Sequence, residues 1–384
     1  VPLQSKGSPC TVLIPREGQP NELRVGGSPE TVRRLVGKGC SVLVESGAGQ
    51  SSGFSDEEYR SAGAALLENG WGHCQVALCV GAPHPECLEA MAMGAMVIGL
   101  LSPYGNQALV HHLNRRKLSS VSLELLPRIS RAQAMDALSS QANIAGYKAV
   151  LLAAAALDRY FPMLMTAAGT VQPARVLVMG AGVAGLQAVA TARRLGAVVY
   201  VSDIRPGVKE QVESLGARFI EPPQVVERPG EANGYAQQAS AAFLEDQRNQ
   251  LCEQLAMADV AICTAQVPGR QAPRLITEAM VERMRPGAVV VDLAVNQGGN
   301  CAATVPGKTI DHKGVKLIGA GDLPCTVPNH ASSLYGRNLA ALLEQYLQDG
   351  VLHLDLQDPL LKDCLLTHNG HCHRDDIVHA SRST

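Results

Sequence analysis

A chain of 384 residues is long enough to bury two separate hydrophobic cores. A formal net charge of −2 with no basic tract argues against nucleic acid as the partner. Only 3% of residues are aromatic while 46% are hydrophobic, so the cores must be Ala, Val and Leu, a composition that suits helices packed on buried parallel strands.

No apolar run approaches the ~20 residues that a membrane-spanning helix needs. The longest, 91–101 and 149–157, fall short. The opening, VPLQSKGSPC, has neither initiator methionine nor apolar signal core and reads as a processed or excised piece. Eleven cysteines include no C-x-x-C pair, and Cys79 and Cys263 fall in apolar runs, which points to free thiols in a reducing compartment.

The N-terminal third alternates strand and helix. Residues 11–15 form a strand, and Ser28-Pro29-Glu30 opens a helix that Gly37 or Gly39 closes. Residues 41–45 form a strand running into Gly47-Ala48-Gly49, and Ser55 with Glu58 makes a capping box. Short apolar strands at 76–80 and 96–101 complete a flavodoxin-like domain. Residues 127–160 are mostly helical and would carry the chain into a second domain. Within them Gln133, Asp136 and Ser140 share one face of a helix at i, i+3, i+7, beside Arg128. Such a set can hold a carboxamide and a ribose; equally, Asp136 can simply favour a helix N-terminus.

Residues 175–205, RVLVMGAGVAGLQAVATARRLGAVVYVSDIR, form a whole nucleotide-binding unit. An apolar strand leads into Gly180, Gly182 and Gly185, spaced G-x-G-x-x-G for a tight turn, close approach of a pyrophosphate and packing of helix on strand. A helix with Ala184, Ala188 and Ala192 follows and stops at Gly196, and a second strand ends at Asp203, whose carboxylate can accept ribose hydroxyls. Asp203 would repel the 2′-phosphate of NADP, which favours NAD(H), although Arg205 could neutralise such a phosphate. Further strands are expected at 217–221, 259–264, 288–292 and 315–319, giving a six-stranded doubly wound sheet. A last helix over 332–348, with Tyr335, Leu339, Leu342, Leu343 and Tyr346 on one stripe, would return the chain to the first domain. The fold expected is α/β: two Rossmann-like domains, 1–135 completed by 330–384 and 145–325, joined by two long helices with a ligand cleft between them. His368, His371, Cys372 and His373 flank an Asn369-Gly370 turn and read as a surface hairpin; no metal site is expected there.

Three stretches make the chain recognisable: PRISRAQAMDALSSQANIAGYKAV (127–150), MTAAGTVQPARVLVMGAGVAGLQA (165–188) and VVVDLAVNQGGN (289–300). They resemble the NAD(H)-binding domain I of proton-translocating NAD(P) transhydrogenase, of the alanine dehydrogenase/transhydrogenase family. The resemblance runs from about Val12 through the last long helix. It implies an NAD(H)-binding component that passes hydride from NADH to NADP+ in the NADP(H) site of a separate domain III, coupled to proton movement by a membrane domain. By that similarity, Arg128, Ile129, Ser130, Gln133, Ala134, Met135 and Asp136 contact the nicotinamide side, with Gln133, Arg128 and Asp136 positioning the ring. Gly180, Gly182, Val183, Ala184, Gly185, Asp203, Ile204 and Arg205 bind the adenosine half and pyrophosphate. Gly234 and Tyr235 match the family's mobile loop over bound nucleotide, Gln247 matches a binding position, and Gln266 stands in a turn expected near the cofactor. It further implies a homodimer and a peripheral seat on the cytoplasmic face of a bacterial inner membrane, or on the matrix side in mitochondria. Hydride transfer between two nicotinamides requires no general acid or base, so no catalytic triad is expected.

The chain departs from that pattern at Gln266, Asn296, Cys325-Thr326 and Gln237. Two other readings therefore stay open. An alanine dehydrogenase-like oxidoreductase would use Arg24 for a substrate carboxylate, but this chain has Leu78-Cys79-Val80 where that family carries a lysine and Leu101-Ser102-Pro103-Tyr104 where it carries a histidine. An inert NAD-binding subunit is the other.

Overall fold

The computed structural model describes residues 8–222, 241–267 and 270–380. They divide into two compact units: one runs to Gln141 and resumes at Pro324, the other is Ala142–Leu323. The chain passes from the first to the second within the helix Ala137–Ala156 and returns between Leu323 and Pro324. The last long helix, Pro328–Glu344, lies wholly inside the first unit.

The first unit is built on an eight-stranded sheet. From edge to edge its strands are His371–Cys372, Leu365–His368, Ser119–Ser122, Met96–Gly99, Val76–Leu78, Thr11–Ile14, Ser41–Glu45 and Ala65–Leu67. Six are parallel, and the two C-terminal strands add on antiparallel. Strand order reverses at Thr11–Ile14, which pairs on one side with Ser41–Glu45 and on the other with Val76–Leu78. The capping box forms as its residue types require: Ser55 N–H donates to Glu58 Oε2 (2.7 Å) and Glu58 N–H to Ser55 Oγ (3.2 Å). Pro328–Glu344 buries Tyr335, Leu339, Leu342 and Leu343, and the Tyr335 hydroxyl donates to the Cys79 carbonyl (2.8 Å). The Asn369-Gly370 turn is a hairpin, with φ of 51° and 84°.

Ser119–Ser122 carries no apolar run and was not expected as a strand, yet it is fully buried. Its hydroxyls are matched inside the sheet: Ser119 Oγ meets His368 Nδ1 (2.9 Å), Ser120 Oγ meets Thr367 Oγ1 (2.7 Å), and Ser122 Oγ donates to Glu124 Oε2 (2.6 Å). Pairing of polar groups substitutes here for apolar side chains.

The second unit carries a seven-stranded sheet: Arg218–Ile220, Val198–Ser202, Arg175–Met179, Val260–Cys263, Val289–Asp292, Val315–Gly319 and, antiparallel at the edge, Thr309–His312. The six parallel strands are those expected, with ends differing by a residue or two; the edge strand was missed. Alternation along each strand builds two cores. Val176, Val178, Val260, Ile262, Val289 and Val291 face the helices Ala137–Ala156 and Val183–Arg194. Leu177, Met179, Ala261, Cys263 and Val290 face Ala241–Met257 and Glu278–Val281. Among the described residues no helix is long and apolar enough to cross a membrane.

One carboxyl group in the first unit is poised to titrate near neutrality. Glu17 accepts the N–H groups of Val80 (2.6 Å) and Gly81 (3.3 Å) at the carboxyl end of the sheet. Burial pushes it from 4.5 to about 7; those two bonds hold it down only in part, the Glu22 charge raises it further and Arg24 counters. Between 4.5 and about 7 the folded state therefore binds more protons than the unfolded one, and stability falls as pH rises through that window. Glu17→Gln abolishes this titration. Thermal midpoints measured from about pH 5 to pH 8 are expected to fall more steeply in the parent chain than in the variant; parallel profiles would contradict the assignment.

Candidate functional site

The strand Arg175–Met179 ends at Gly180, whose φ of 99° is left-handed territory that glycine occupies without strain. A methyl placed on Gly180 would come within 2.7 Å of Thr264 Oγ1 and 3.1 Å of the Ala265 nitrogen. One on Gly185 would run into the Gly180 carbonyl, and one on Gly146 into the Ala184 carbonyl of the helix Val183–Arg194. Gly182, the N-cap of that helix, has nothing within 4 Å and ordinary backbone angles (φ −79°, ψ −170°). Gly180 and Gly185 are thus required by the fold, while Gly182 keeps open space at a helix N-terminus. That opening fits an anionic pyrophosphate, which the helix dipole and free N–H groups favour.

Asp203 follows the next strand, Val198–Ser202, and is almost wholly buried. Its Oδ2 accepts the Ala181 N–H (2.7 Å), tying the glycine turn to the neighbouring strand end. The Arg205 guanidinium grips both oxygens (2.9 and 2.8 Å), and its backbone N–H reaches Oδ1 (2.9 Å). Burial raises the Asp203 pKa, but the hydrogen bonds from Arg205 and Ala181 outweigh it and hold the carboxyl below its ordinary range. It is ionised at neutral pH, with Arg205 as its most exposed partner. Ile204 is exposed beside it.

The other sequence-expected residues distribute between the units. Arg128, Ile129, Ser130, Gln133 and Ala134 are exposed on the first unit, on and before the short helix Ser130–Met135; Met135 is buried. Among the described residues Arg128 and the Gln133 side chain have no hydrogen-bond or ion-pair partner. The continuous helical face expected for Gln133, Asp136 and Ser140 does not form. Asp136 breaks it with ψ 84° and caps the next helix, accepting Ser139 N–H (2.9 Å) and Ser139 Oγ (2.6 Å). Ser140 instead bonds to Asn338 Oδ1 (2.7 Å), and Asn338 donates to the Ala134 carbonyl (2.9 Å). Gly180, Gly182, Val183, Ala184, Gly185, Asp203, Ile204, Arg205 and Gln266 belong to the second unit. Gln266 is exposed and donates to the Leu293 carbonyl (2.9 Å). Gln247 falls in the helix Ala241–Met257. Gly234, Tyr235 and Gln237 lie outside the described residues.

Sequence reasoning missed two further groups, one that holds this turn and one that holds the neighbouring loop at 294–304. Thr264 Oγ1 lies 3.1 and 3.0 Å from the carbonyls of Met179 and Gly180. Buried Asp292 accepts Ala294 N–H (2.9 Å), Cys301 N–H (3.0 Å) and Thr304 Oγ1 (2.8 Å). The signal for the second group was the glycine pair in DLAVNQGGN: Gly298 and Gly299 both adopt positive φ (95° and 80°), curling the loop back onto Asp292.

Arg24 is committed within the first unit. Glu22 holds it at two points (2.8 and 2.6 Å), and its third nitrogen donates to Gln141 Oε1 (2.9 Å).

These features define a two-unit α/β protein with a dinucleotide-type turn at the strand-order reversal of its second unit. Family models described as alanine dehydrogenase/PNT, N-terminal domain and C-terminal domain match residues 13–145 and 149–375. The chain is 44% identical over 370 residues to the first portion of NAD(P) transhydrogenase subunit alpha of Rhodospirillum rubrum, covering 94% of this chain and 96% of that protein. It is 42% identical to the subunit alpha of Haemophilus influenzae, over 93% of this chain and 70% of the relative. A solved transhydrogenase structure from Sinorhizobium meliloti superposes with a TM-score of 0.86 at 44% identity, covering 94% of this chain and 99% of the other. The chain belongs to the alanine dehydrogenase/PNT family.

The glycines give a clean contrast. Gly185→Ala is expected to lower stability by about 1–3 kcal/mol through overpacking against Gly180. Gly182→Ala is expected to change it by less than about 1 kcal/mol. Denaturant titration of both variants tests this, and equal losses would overturn the division of labour.

Proposed function

We propose that this chain is the NAD(H)-binding component of a proton-translocating NAD(P) transhydrogenase. It holds NADH so that hydride passes directly to NADP+ on a partner domain, while a membrane domain couples the transfer to proton movement. The observation that carries this reading is the likeness along nearly the whole length of the Rhodospirillum rubrum subunit, together with an open helix N-terminus at Gly182 beside an ionised Asp203. NAD(H) is favoured over NADP(H) because the Asp203 charge opposes a 2′-phosphate. In this reading Gly182, Val183, Ala184 and Gly185 receive the pyrophosphate, and Asp203 accepts the ribose hydroxyls once Arg205 swings aside. Arg128, Gln133 and Asp136 orient the nicotinamide. NADH supplies the hydride; the protein contributes position rather than acid or base chemistry. The chain is peripheral to its membrane through partners, on the cytoplasmic side in bacteria or the matrix side in mitochondria. The alanine dehydrogenase alternative is disfavoured because Glu22 occupies the Arg24 fork that a 2-oxo acid carboxylate would need.

A homodimer belongs to the same reading. The hairpin Leu164–Thr166 and Gly169–Val171 forms a separate two-stranded sheet, and Met163, Met165 and Val171 are exposed along it, Met165 at 76%. An isolated hairpin with an apolar surface is marginal in water, which supports a second copy as its cover. Met165→Asp with Val171→Asp is expected to give a folded monomer by sedimentation, whereas a variant as dimeric as the parent would remove the hairpin from the interface.

The functional test mixes the chain with an NADP(H)-loaded partner domain, NADH and an NAD analogue of shifted absorbance, and follows cyclic hydride exchange. Turnover is expected only with both components, and none with pyruvate and ammonia. Gln133→Ala, at an exposed position without structural partners, is expected to lower kcat about tenfold or more. Gly182→Ala is expected to weaken NADH binding about tenfold or more without loss of fold. NADH binding without exchange beside a competent partner would replace this reading with a binding-only subunit.

A further inference from the structure

The crevice of a doubly wound sheet opens where strand order reverses, at the carboxyl ends of two neighbouring strands. In the second unit those are Arg175–Met179, running into the glycine turn, and Val260–Cys263, running into Thr264 and Ala265. One wall is the Gly180–Gly182 turn; the other is the main chain at 264–266. The second wall is held by a residue that reaches it from a different strand connection.

Asn300 is fully buried. Its Oδ1 accepts the Ala265 N–H (3.1 Å), and its Nδ2 donates to the Ala265 carbonyl (2.9 Å) and to the Pro273 carbonyl (2.8 Å). Its own carbonyl accepts the N–H groups of Leu275 (2.8 Å) and Ile276 (2.9 Å). One residue thus grips both ends of the segment 265–276. The side-chain amide makes three bonds, each to a main-chain group. Both polar groups of Ala265 are used by this clamp, so the wall beside Gly180 is fixed in position and turns no unpaired amide towards a ligand. Only a side chain with a donor and an acceptor on one planar group can hold both; a carboxylate would set an oxygen against two carbonyls.

We infer that Asn300 is a positioning residue for the nucleotide: it sets the Ala265 wall against the Gly180 turn and so fixes the width of the crevice. The inference rests on the NAD(H) reading above. Asn300→Asp removes the donor at nearly constant shape but adds a carboxylate, and Asn300→Ser removes the clamp without adding charge. Thr304→Val is the control, since it deletes the bond to Asp292 in the same loop (2.8 Å) but nothing at Ala265.

Each variant is taken through thermal denaturation, NADH titration by fluorescence at 25 °C and hydride exchange with the partner domain. Both Asn300 variants are expected to raise the NADH Kd and KM about tenfold, while kcat at saturating NADH stays within about twofold. Thr304→Val is expected to lower the midpoint without moving Kd. Folded Asn300 variants with parental Kd would overturn the inference, as would a control whose Kd rises in step with its loss of stability. A parent chain that fails to bind NADH at all would overturn the underlying reading first, and this one with it.

Discussion

The second unit depends on a close approach of main chain to main chain at the end of its third strand in sheet order. Gly185 sits against the Gly180 carbonyl, Gly180 against Thr264 Oγ1 and the Ala265 main chain, and Gly146 against the Ala184 carbonyl. Each contact is possible only because a β-carbon is absent, and together they bring one strand, two helices and a loop into register. Hydrogen bonds then lock what the glycines allow. Asp203 reaches Ala181 from one side, Thr264 reaches Met179 and Gly180 from the other, and Asn300 fixes the loop that carries Thr264 and Ala265.

The first unit uses the same topology for a different end. Its strand order also reverses at Thr11–Ile14, and polar groups gather at the carboxyl ends of the strands there. Yet Glu17 is turned onto the Val80 and Gly81 amides, Arg24 onto Glu22 and Gln141, and the Tyr335 hydroxyl onto Cys79 and Val80. These groups satisfy one another. A second fold of the same kind therefore does not imply a second site of the same kind; what separates them is that Ser28 caps the helix Pro29–Gly37 of the first unit, while no side chain caps the helix that starts at Gly182.

How much of this could be read from the chain depended on where the information lies. The six parallel strands of the second unit were legible because strands buried on both faces must be continuously apolar, as in RVLVM and VVVD. Capping boxes and the Asn369-Gly370 hairpin were legible because they are set within four residues. Ser119–Ser122 was not, since the hydroxyls of Ser119 and Ser120 are matched by His368 and Thr367 some 250 residues away, and no local pattern records that. Asp136 shows the limit in the other direction: the i, i+3, i+7 spacing was real, but a capping carboxylate broke the helix that would have given the spacing meaning. The Asn300 clamp was invisible for the same reason as the serine strand, its partners standing 27 and 35 residues away.

The same long-range pairing bears on the positions where this chain departs from the family pattern. An unusual polar residue in an apolar turn is costly if left without a partner. Gln266 donates to the Leu293 carbonyl, Asn296 donates to Asp322 Oδ1 (3.1 Å), and the Cys325 thiol lies against the Glu22 carboxylate (3.5 Å). Each of these three side chains is met by a neighbour within its own unit. The Arg205 guanidinium is the group left to move: it is more than half exposed, yet it holds two of the four bonds made to the carboxylate. The Ala181 bond, which belongs to the fold, survives its departure. A ligand that carries its own hydroxyls can take the guanidinium's place without disturbing the turn, and the guanidinium is then free to meet a phosphate. The exchange is possible because the structural and the replaceable partners of Asp203 come from different elements.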